Sequence, residues 1–227
     1  MKILKRFLLF ILIVFIAAGV FIIKQGYDKY RTALDELPLD TAISQITSKK
    51  HYTVYNDIPQ VYFDAVVAVE DRRFYNHHGF DVIGTARALY NDIRARKLIE
   101  GGSTITQQLV KNIYFPNDYT LKRKIAEIFM AVRLETEYSK QDILEFYVNG
   151  IYYGSGYHCI YDASMGYFEK IPADMTFDEC TLLAGIPNAP SIYSLDVSPE
   201  LARQRQRQVI RSMKECGYIE EDYDEGG

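Results

Sequence analysis

The pattern of apolar and polar positions divides the chain into regimes. Phe7 to Ile23 is an unbroken run of 17 uncharged, mostly apolar residues, extendable backwards through Ile3 and Leu4. It sits at the short end of the roughly 17–25 residues that a helix needs to cross a bilayer. From Gln25 to about Pro59 the residues are polar, carry scattered charges and hold no sustained period, which predicts a juxtamembrane stalk with at most one short helix. From Ile58 onward apolar residues recur at helical intervals. Val61, Ala65, Val66 and Val69 share one face, and Leu121, Ile125, Ile128, Phe129 and Val132 share another. Strand alternation is scarce. Thr104 with Gln107, and Ser139 with Asp142, have the spacing of capping boxes, in which side chain and backbone satisfy each other's hydrogen bonds at a helix start. The expected architecture is therefore all-α: a cytoplasmic N-terminus and membrane anchor over 1–24, a stalk over 25–57, a mainly α domain over 58–215 and an acidic tail over 216–227.

Charge orients the anchor. Lys2, Lys5 and Arg6 precede the apolar run, so the positive-inside tendency places the N-terminus in the cytoplasm and the bulk of the chain outside a single-pass membrane helix. Lys24, Lys29 and Arg31 work against that orientation. The small residues Ala17, Ala18 and Gly19 also fit a cleaved signal peptide, but the run continues past them to Ile23, which favours a retained anchor. The residues that follow make room for about one domain, and 48% hydrophobic residues overall suffice for a sizeable core. A formal net charge of −4 argues against a nucleic-acid binder. Within it, residues 87–124 hold eight basic side chains against three acidic ones, a local excess that asks for an anionic partner such as a diphosphate or lipid headgroups. Three cysteines without a CxxC pair read as small buried side chains, with one disulfide plus one free thiol as the alternative, and no metal site is expected.

Three segments could carry chemistry. In VVAVEDRRFYNHHGFD (66–81) an apolar helical face runs into Glu70, and a carboxylate there is partly desolvated, which raises its pKa toward the range of a general base. The structural alternative is a solvated helix end with Glu70 paired to Arg73. In GGSTITQQLVKN (101–112) two glycines precede a capped helix start, and Thr104, Gln108 and Lys111 form one polar stripe suited to a sugar or diphosphate. An ordinary capped surface helix is the alternative. In LKRKIAEIFMAVRLE (121–135) Arg123 and Lys124 stand one helical turn before Glu127, either a plain i,i+4 salt bridge or a cationic cluster with a second carboxylate. Two separated carboxylates beside cations suit glycosyl transfer, in which a base activates a hydroxyl and cations stabilise a departing diphosphate.

Taken in order, EDRRFYNHHGFD, GGSTITQQLVKN, RKIAEIFMAVRLE, KQDILEFYVNGIYYGSG (140–156), the weaker ASMGYFEK (163–170) and LLAGIPNAPSIYS (182–194) resemble the monofunctional peptidoglycan glycosyltransferases, relatives of the transglycosylase domain of bifunctional penicillin-binding proteins. The resemblance covers about residues 58–195. It implies a lysozyme-like α fold with an apolar membrane-dipping face. The activity implied is polymerisation of lipid II onto a growing lipid-linked glycan, inverting the MurNAc anomeric carbon and releasing undecaprenyl diphosphate. Glu70 would be the general base and Glu127 the second essential carboxylate on the donor side. Arg73, Lys111, Arg123 and Lys124 would hold the diphosphates, with Asp71, Phe74, His77, Thr104, Gln107, Gln108 and Asn112 lining the cleft. A divalent cation such as Mg²⁺ or Mn²⁺ is expected at most alongside the substrate diphosphate, and the implied partners are the bacterial membrane and cell-wall synthesis proteins. No transpeptidase domain is expected to follow, so β-lactams should not acylate the chain. Cys159, Ser164 and Gly166 depart from the family pattern, at positions that bear on local structure more than on chemistry. The competing readings are a lytic muramidase using Glu70 as general acid and an inactive scaffold that binds lipid II.

Overall fold

The computed structural model describes residues 2–95 and 101–220. Arg96, Lys97 and Glu100 of the basic stretch, and residues 221–227 of the acidic tail, lie outside the described residues. Among those described there is no strand, only a lone bridge between His78 and Phe80. Eleven α-helices follow one another: α1 (Lys2–Glu36), α2 (Leu39–Thr47), α3 (Gln60–Glu70), α4 (Val82–Ala95), α5 (Ile105–Tyr114), α6 (Leu121–Glu137), α7 (Lys140–Gly150), α8 (Ile160–Phe168), α9 (Phe177–Gly185), α10 (Pro190–Tyr193) and α11 (Pro199–Glu215).

The two expected capping boxes form at the starts of α5 and α7, and a third, Thr176 with Glu179, starts α9. Each satisfies two backbone or side-chain donors that a bare helix start would leave open. α3 is the central helix. It packs against α9 and α11 and buries Tyr62, Phe63, Ala65, Val66, Val67 and Ala68. This wraps more of its surface than the single apolar face read from Val61 to Val69, because partners cover it from several sides. On the other side of the core α5 contacts both α6 and α7. Tyr62 and Tyr153, both fully buried, share a hydroxyl–hydroxyl bond of 2.8 Å, so neither phenol is left unsatisfied inside the core.

The segment expected to be a stalk is largely helical and packed. α1 carries on past the apolar run to Glu36, and Tyr30, Ala33, Leu39, Ile43 and Ile46 belong to the hydrophobic core. A helical stripe does run through the segment, Tyr27, Tyr30, Ala33 and Leu34 and then Leu39, Ala42, Ile43 and Ile46, masked by intervening charges and by the break between the two helices at Leu37 and Pro38. α1 includes one stretch, Ile3–Glu36, long and apolar enough to cross a membrane, and it fits a membrane anchor.

The apolar face expected on α6 turns largely to α1 and meets only the edge of the core. Leu121 and Val132 are exposed, and Phe129 meets Tyr27 and Tyr30 of α1. The face that α6 turns inward is Ala126, Glu127, Met130, Ala131 and Leu134, so a carboxylate is carried into the interior.

All three cysteines are free: Cys159 and Cys180 are buried, Cys216 partly so. Burial pushes all three thiols up from their ordinary pKa, that of Cys180 to about 12. The departures near the fifth motif have local explanations. The Cys159 sulfur accepts the Asp162 amide at the start of α8, and Gly166 leaves room for the Tyr157 ring, which a Cβ there would overlap.

Gly79 is where the chain most needs a glycine. Its φ is +83°, and a Cβ would lie 2.5–2.6 Å from backbone atoms of Ala131 and Val132. The Gly79 carbonyl meanwhile accepts the Thr104 hydroxyl at 2.8 Å, tying this turn to the start of α5. Strain and overlap with a backbone that cannot rotate away add together, so Gly79→Ala should cost about 3 kcal/mol or more. That loss should lower the unfolding midpoint by about 10 °C in a domain of this size, as read by thermal denaturation. A midpoint unchanged by the substitution would show that the α6 backbone gives way.

Candidate active site

Glu70 is the last residue of α3, where the buried helix opens on a cleft of about 280 Å³. The walls come from the end of α3, the start of α4, residues 101–104 and α11, with Asp71, Arg72, Arg73, Arg205 and Arg211 among the lining side chains. The Glu70 side chain is only 7% exposed. One carboxylate oxygen accepts Gln108 Nε2 at 2.8 Å, and the other faces Arg205 Nη2 at 3.4 Å. Burial pushes its pKa above the ordinary glutamate range; the bond from Gln108 and the Arg205 charge pull it down, and only in part offset the burial. Gln108 is itself held by the Tyr147 hydroxyl at 3.2 Å. Glu70 is thus fixed by a chain of Tyr147, Gln108 and Arg205 drawn from three helices, and the alternative of a solvated helix end paired to Arg73 does not form.

Arg73 turns instead to Asp81, with Nε 3.1 Å from Oδ2. Burial acts to raise the Asp81 pKa, but the Gly84 amide and the Arg73 charge outweigh it and hold the carboxyl low.

Asp71 supports the cleft from behind. It accepts the Ile105 amide at 3.0 Å, at the start of α5 where backbone donors are free, and His77 Nε2 at 2.9 Å. His77 Nδ1 lies 3.9 Å from Glu135, which accepts Thr106 Oγ1 at 2.5 Å and Lys140 Nζ at 2.7 Å. Lys140 in turn stands 4.2 Å over the Phe74 ring. This run of alternating charge fixes the 71–77 loop against α5, α6 and α7.

A second cluster stands on the first turns of α6. Glu127, 1% exposed, accepts from Arg123 Nη1 and lies 3.1 Å from Lys124 Nζ. Lys124 also donates to Ser103 Oγ at 2.6 Å, and Ser103 lines the Glu70 cleft, so the two carboxylate clusters meet at that residue. Burial lowers the Lys124 pKa, against the raising influence of Glu127; Arg123 and Lys111 add further repulsion. Lys111, half-buried on α5, has no ion-pair partner among the described residues.

The expected residues therefore fall into place unevenly. Glu70, Asp71, Arg73 and Thr104 line the cleft, and Gln108 bonds to Glu70. Arg123, Lys124 and Glu127 form the adjoining cationic cluster. Gln107 and His77 are buried as supports: Gln107 closes the α5 capping box. Phe74 is fully buried in the core and does not line the cleft, since Lys140 and the surrounding helices cover it. Asn112 is exposed on α5, away from the cleft lining. Arg205 was not singled out from the sequence. Its surroundings, RQRQRQ, repeat the same two residue types, and only the fold brings Arg205 across to Glu70. Gln206 beside it fixes α11 on α9 through the Asp178 carbonyl and the Thr181 hydroxyl, each at 2.9 Å. Among the described residues no group of three or more His, Cys, Asp or Glu side chains is placed to hold a metal ion.

A family model described as Transglycosylase matches residues 39–214. It begins at 39, within the packed segment that the sequence reading assigned to a stalk. Over 180 residues the chain is 44% identical to penicillin-binding protein 1F of Bacillus subtilis, covering 79% of this chain and 25% of that protein. It is 40% identical over 185 residues to a monofunctional glycosyltransferase of Staphylococcus saprophyticus, with 78% and 68% covered. A monofunctional glycosyltransferase of Staphylococcus haemolyticus is 39% identical over 218 residues, with 93% and 78% covered. The chain thus spans about a quarter of the length of the penicillin-binding relatives and more than two thirds of the monofunctional ones.

Proposed function

Since the chain belongs to the transglycosylase family, we propose that it is a peptidoglycan glycosyltransferase, polymerising lipid II at the outer face of a membrane in which α1 is anchored, with its N-terminus in the cytoplasm. The observation that carries the chemistry is Glu70: a nearly buried carboxylate with a raised pKa, fixed by Gln108 and Arg205 at the wall of an open cleft. In the proposed reaction Glu70 takes the proton from the 4-hydroxyl of the acceptor GlcNAc. The hydroxyl oxygen forms a bond to the anomeric carbon of the donor MurNAc, and the bond from that carbon to the phosphate oxygen breaks with inversion. Its electron pair leaves on the lipid diphosphate. Lys111, Arg123 and Lys124 stabilise that developing charge, and Glu127 keeps the last two in place from beneath. Arg73 reaches Asp81 through Nε, which fixes the side chain in the cleft wall and leaves its Nη donors to meet a diphosphate. A divalent cation, where one takes part, belongs with the substrate diphosphate.

A raised pKa at Glu70 would also suit the general acid of a lytic muramidase. The cationic cluster favours the transferase, since a hydrolase of finished glycan has no diphosphate to hold. The deciding experiment incubates the detergent-solubilised protein with labelled lipid II in one reaction and with finished glycan in another, and resolves products by size. Long glycan from lipid II, with the finished polymer untouched, is the expected result. Cleavage of polymer without synthesis would assign the hydrolase, and lipid II binding without either would assign the scaffold.

Arg205 supplies a finer test. Its charge lowers the Glu70 pKa, so Arg205→Met should raise that pKa further and move the acid limb of the rate profile to higher pH, while Arg205→Lys should fall between. Rates measured across pH decide it, and a limb that stays in place would remove Arg205 from the control of Glu70.

A further inference from the structure

α1 does more than hold the domain at a membrane. It is unbroken from Lys2 to Glu36, and Gly26, Tyr30 and Ala33, at intervals of four and three residues, are buried on the face that meets α6. The approach at Gly26 is close: a Cβ there would lie 2.5 Å from Ile125 Cβ, nearer still to Ile125 Cγ2, and 3.2 Å from the Lys122 carbonyl. Beside Gly26 and one turn further on, the Tyr27 and Tyr30 rings stand 5.3 and 5.9 Å from Phe129. α1 also grips the start of α6. Lys29 is 2.7 Å from Asp118, and Asp118 accepts from the amide and hydroxyl of Thr120 at 2.8 and 2.7 Å. Thr120 is the N-cap of α6 and accepts the Arg123 amide at 3.3 Å.

These contacts fall on the turns of α6 that carry Arg123, Lys124 and Glu127. α1 presses on one side of those turns through Ile125 and Phe129. The opposite side presents Glu127 to the interior. α1 packs against α6 more extensively than α5 or α7 does. A shift of about 1 Å in a positioned group is enough to cost large factors in rate or binding.

We infer that α1 is a positioning element of the active site, with Gly26 and Lys29 setting, through α6, where the cations for the substrate diphosphate stand. The inference rests on the polymerase reading given above. It makes the anchor a rigid strut that ties the diphosphate site to the membrane segment, and it assigns Gly26 a role that its place beyond an apolar run does not suggest.

The test uses the full chain and four variants. Gly26→Leu forces α1 away from α6. Gly19→Leu puts the same bulk on the same helix where nothing lies within 4 Å. Lys29→Glu repels Asp118, and Lys29→Arg restores the pair. Two readouts are taken: KM and kcat for lipid II, and the Kd of fluorescent lipid II in a Glu70→Gln background, which does not depend on turnover. Gly26→Leu should raise both KM and Kd by about tenfold, Gly19→Leu should stay within about twofold, and Lys29→Glu should weaken binding about threefold, with recovery in Lys29→Arg. The acid limb set by Glu70 should not move in any of them. Equal Kd values for the Gly26 and Gly19 variants would overturn the inference. So would a loss of activity in Gly26→Leu that tracks lost folded protein while the Kd of the remainder is unchanged. Should the unmodified chain make no polymer, the polymerase reading fails, and the Kd comparison still decides the role of α1.

Discussion

Glu70→Gln should bind lipid II and make no glycan. The substitution keeps the volume of the side chain and an oxygen that can accept from Gln108, so the wall of the cleft survives while the base is lost. A positioned general base contributes about 10²–10⁴-fold to a rate, so the drop should reach about a thousandfold, or roughly 4 kcal/mol of barrier. Polymer resolved by size gives the rate, and binding of labelled lipid II shows that the site is intact. Residual turnover within about tenfold of the unmutated protein would mean that another group takes the proton. The pH dependence has a definite sign. A carboxyl whose pKa is raised in the folded protein takes up its proton more readily there than in the unfolded chain, so its contribution to stability falls as pH rises through the raised value. Activity, which needs the ionised form, rises over the same interval. The two profiles should therefore cross, and in Glu70→Gln that component of the stability profile should vanish.

The second large effect is expected at Glu127. Its carboxylate is almost fully enclosed and answers two cations, Arg123 and Lys124, with Lys111 close enough to Lys124 to repel it. Glu127→Gln removes the negative charge and leaves the cations facing one another in a partly buried place. Breaking such a pair by deleting one partner costs about 3–5 kcal/mol, far more than the net worth of an intact surface bridge. Two consequences separate this from a loss of fold alone. Lys124, whose pKa burial lowers and Glu127 supports, should lose its charge at lower pH. Added pyrophosphate should raise the unfolding midpoint of the variant more than that of the parent, because the anion supplies the missing charge. Glycan synthesis should fall at least about a hundredfold. A variant with near-normal synthesis, or one that pyrophosphate does not stabilise further, would leave Glu127 as an ordinary helix salt bridge.

Much of this was legible in the sequence, and the parts that were not share a physical cause. Capping boxes at Thr104 and Ser139 are local rules, decided within three residues, and both form. The all-α architecture followed from helical spacing for the same reason. Glu70 stands out because it ends an apolar stretch, Gln108 because it shares a polar stripe with Thr104 and Lys111, and Glu127 because two cations precede it by one helical turn. Arg205 did not, since nothing within its own helix distinguishes it from Arg203 or Arg207; its partner lies 135 positions earlier. Arg73 found Asp81 rather than Glu70 because the chain leaves the helix right after Glu70 and the i,i+3 geometry is lost. Phe74 shares a motif with residues that line the cleft, yet its ring faces the core, and side-chain direction in an irregular segment cannot be read from spacing. The apolar face of α6 was legible as a face, but which neighbour would cover it was not. α1 claimed it, which left the side with Glu127 to point inward.

The reach of the Arg205 contact has a bearing on the order in which the molecule assembles. Capped helices such as α5, α7 and α9 draw on near neighbours and can begin to form early, whereas closing a loop between Glu70 and Arg205 must wait for most of the chain to be in place. Part of what holds Glu70 therefore arrives only with the last helix, α11. The same contact is exposed to whatever loosens that helix, so a protease nick or fraying near residue 199 would strip Glu70 of its charged partner while the capped helices still held their shape. Competence for transfer is in this sense the final property the chain acquires and the first it would surrender.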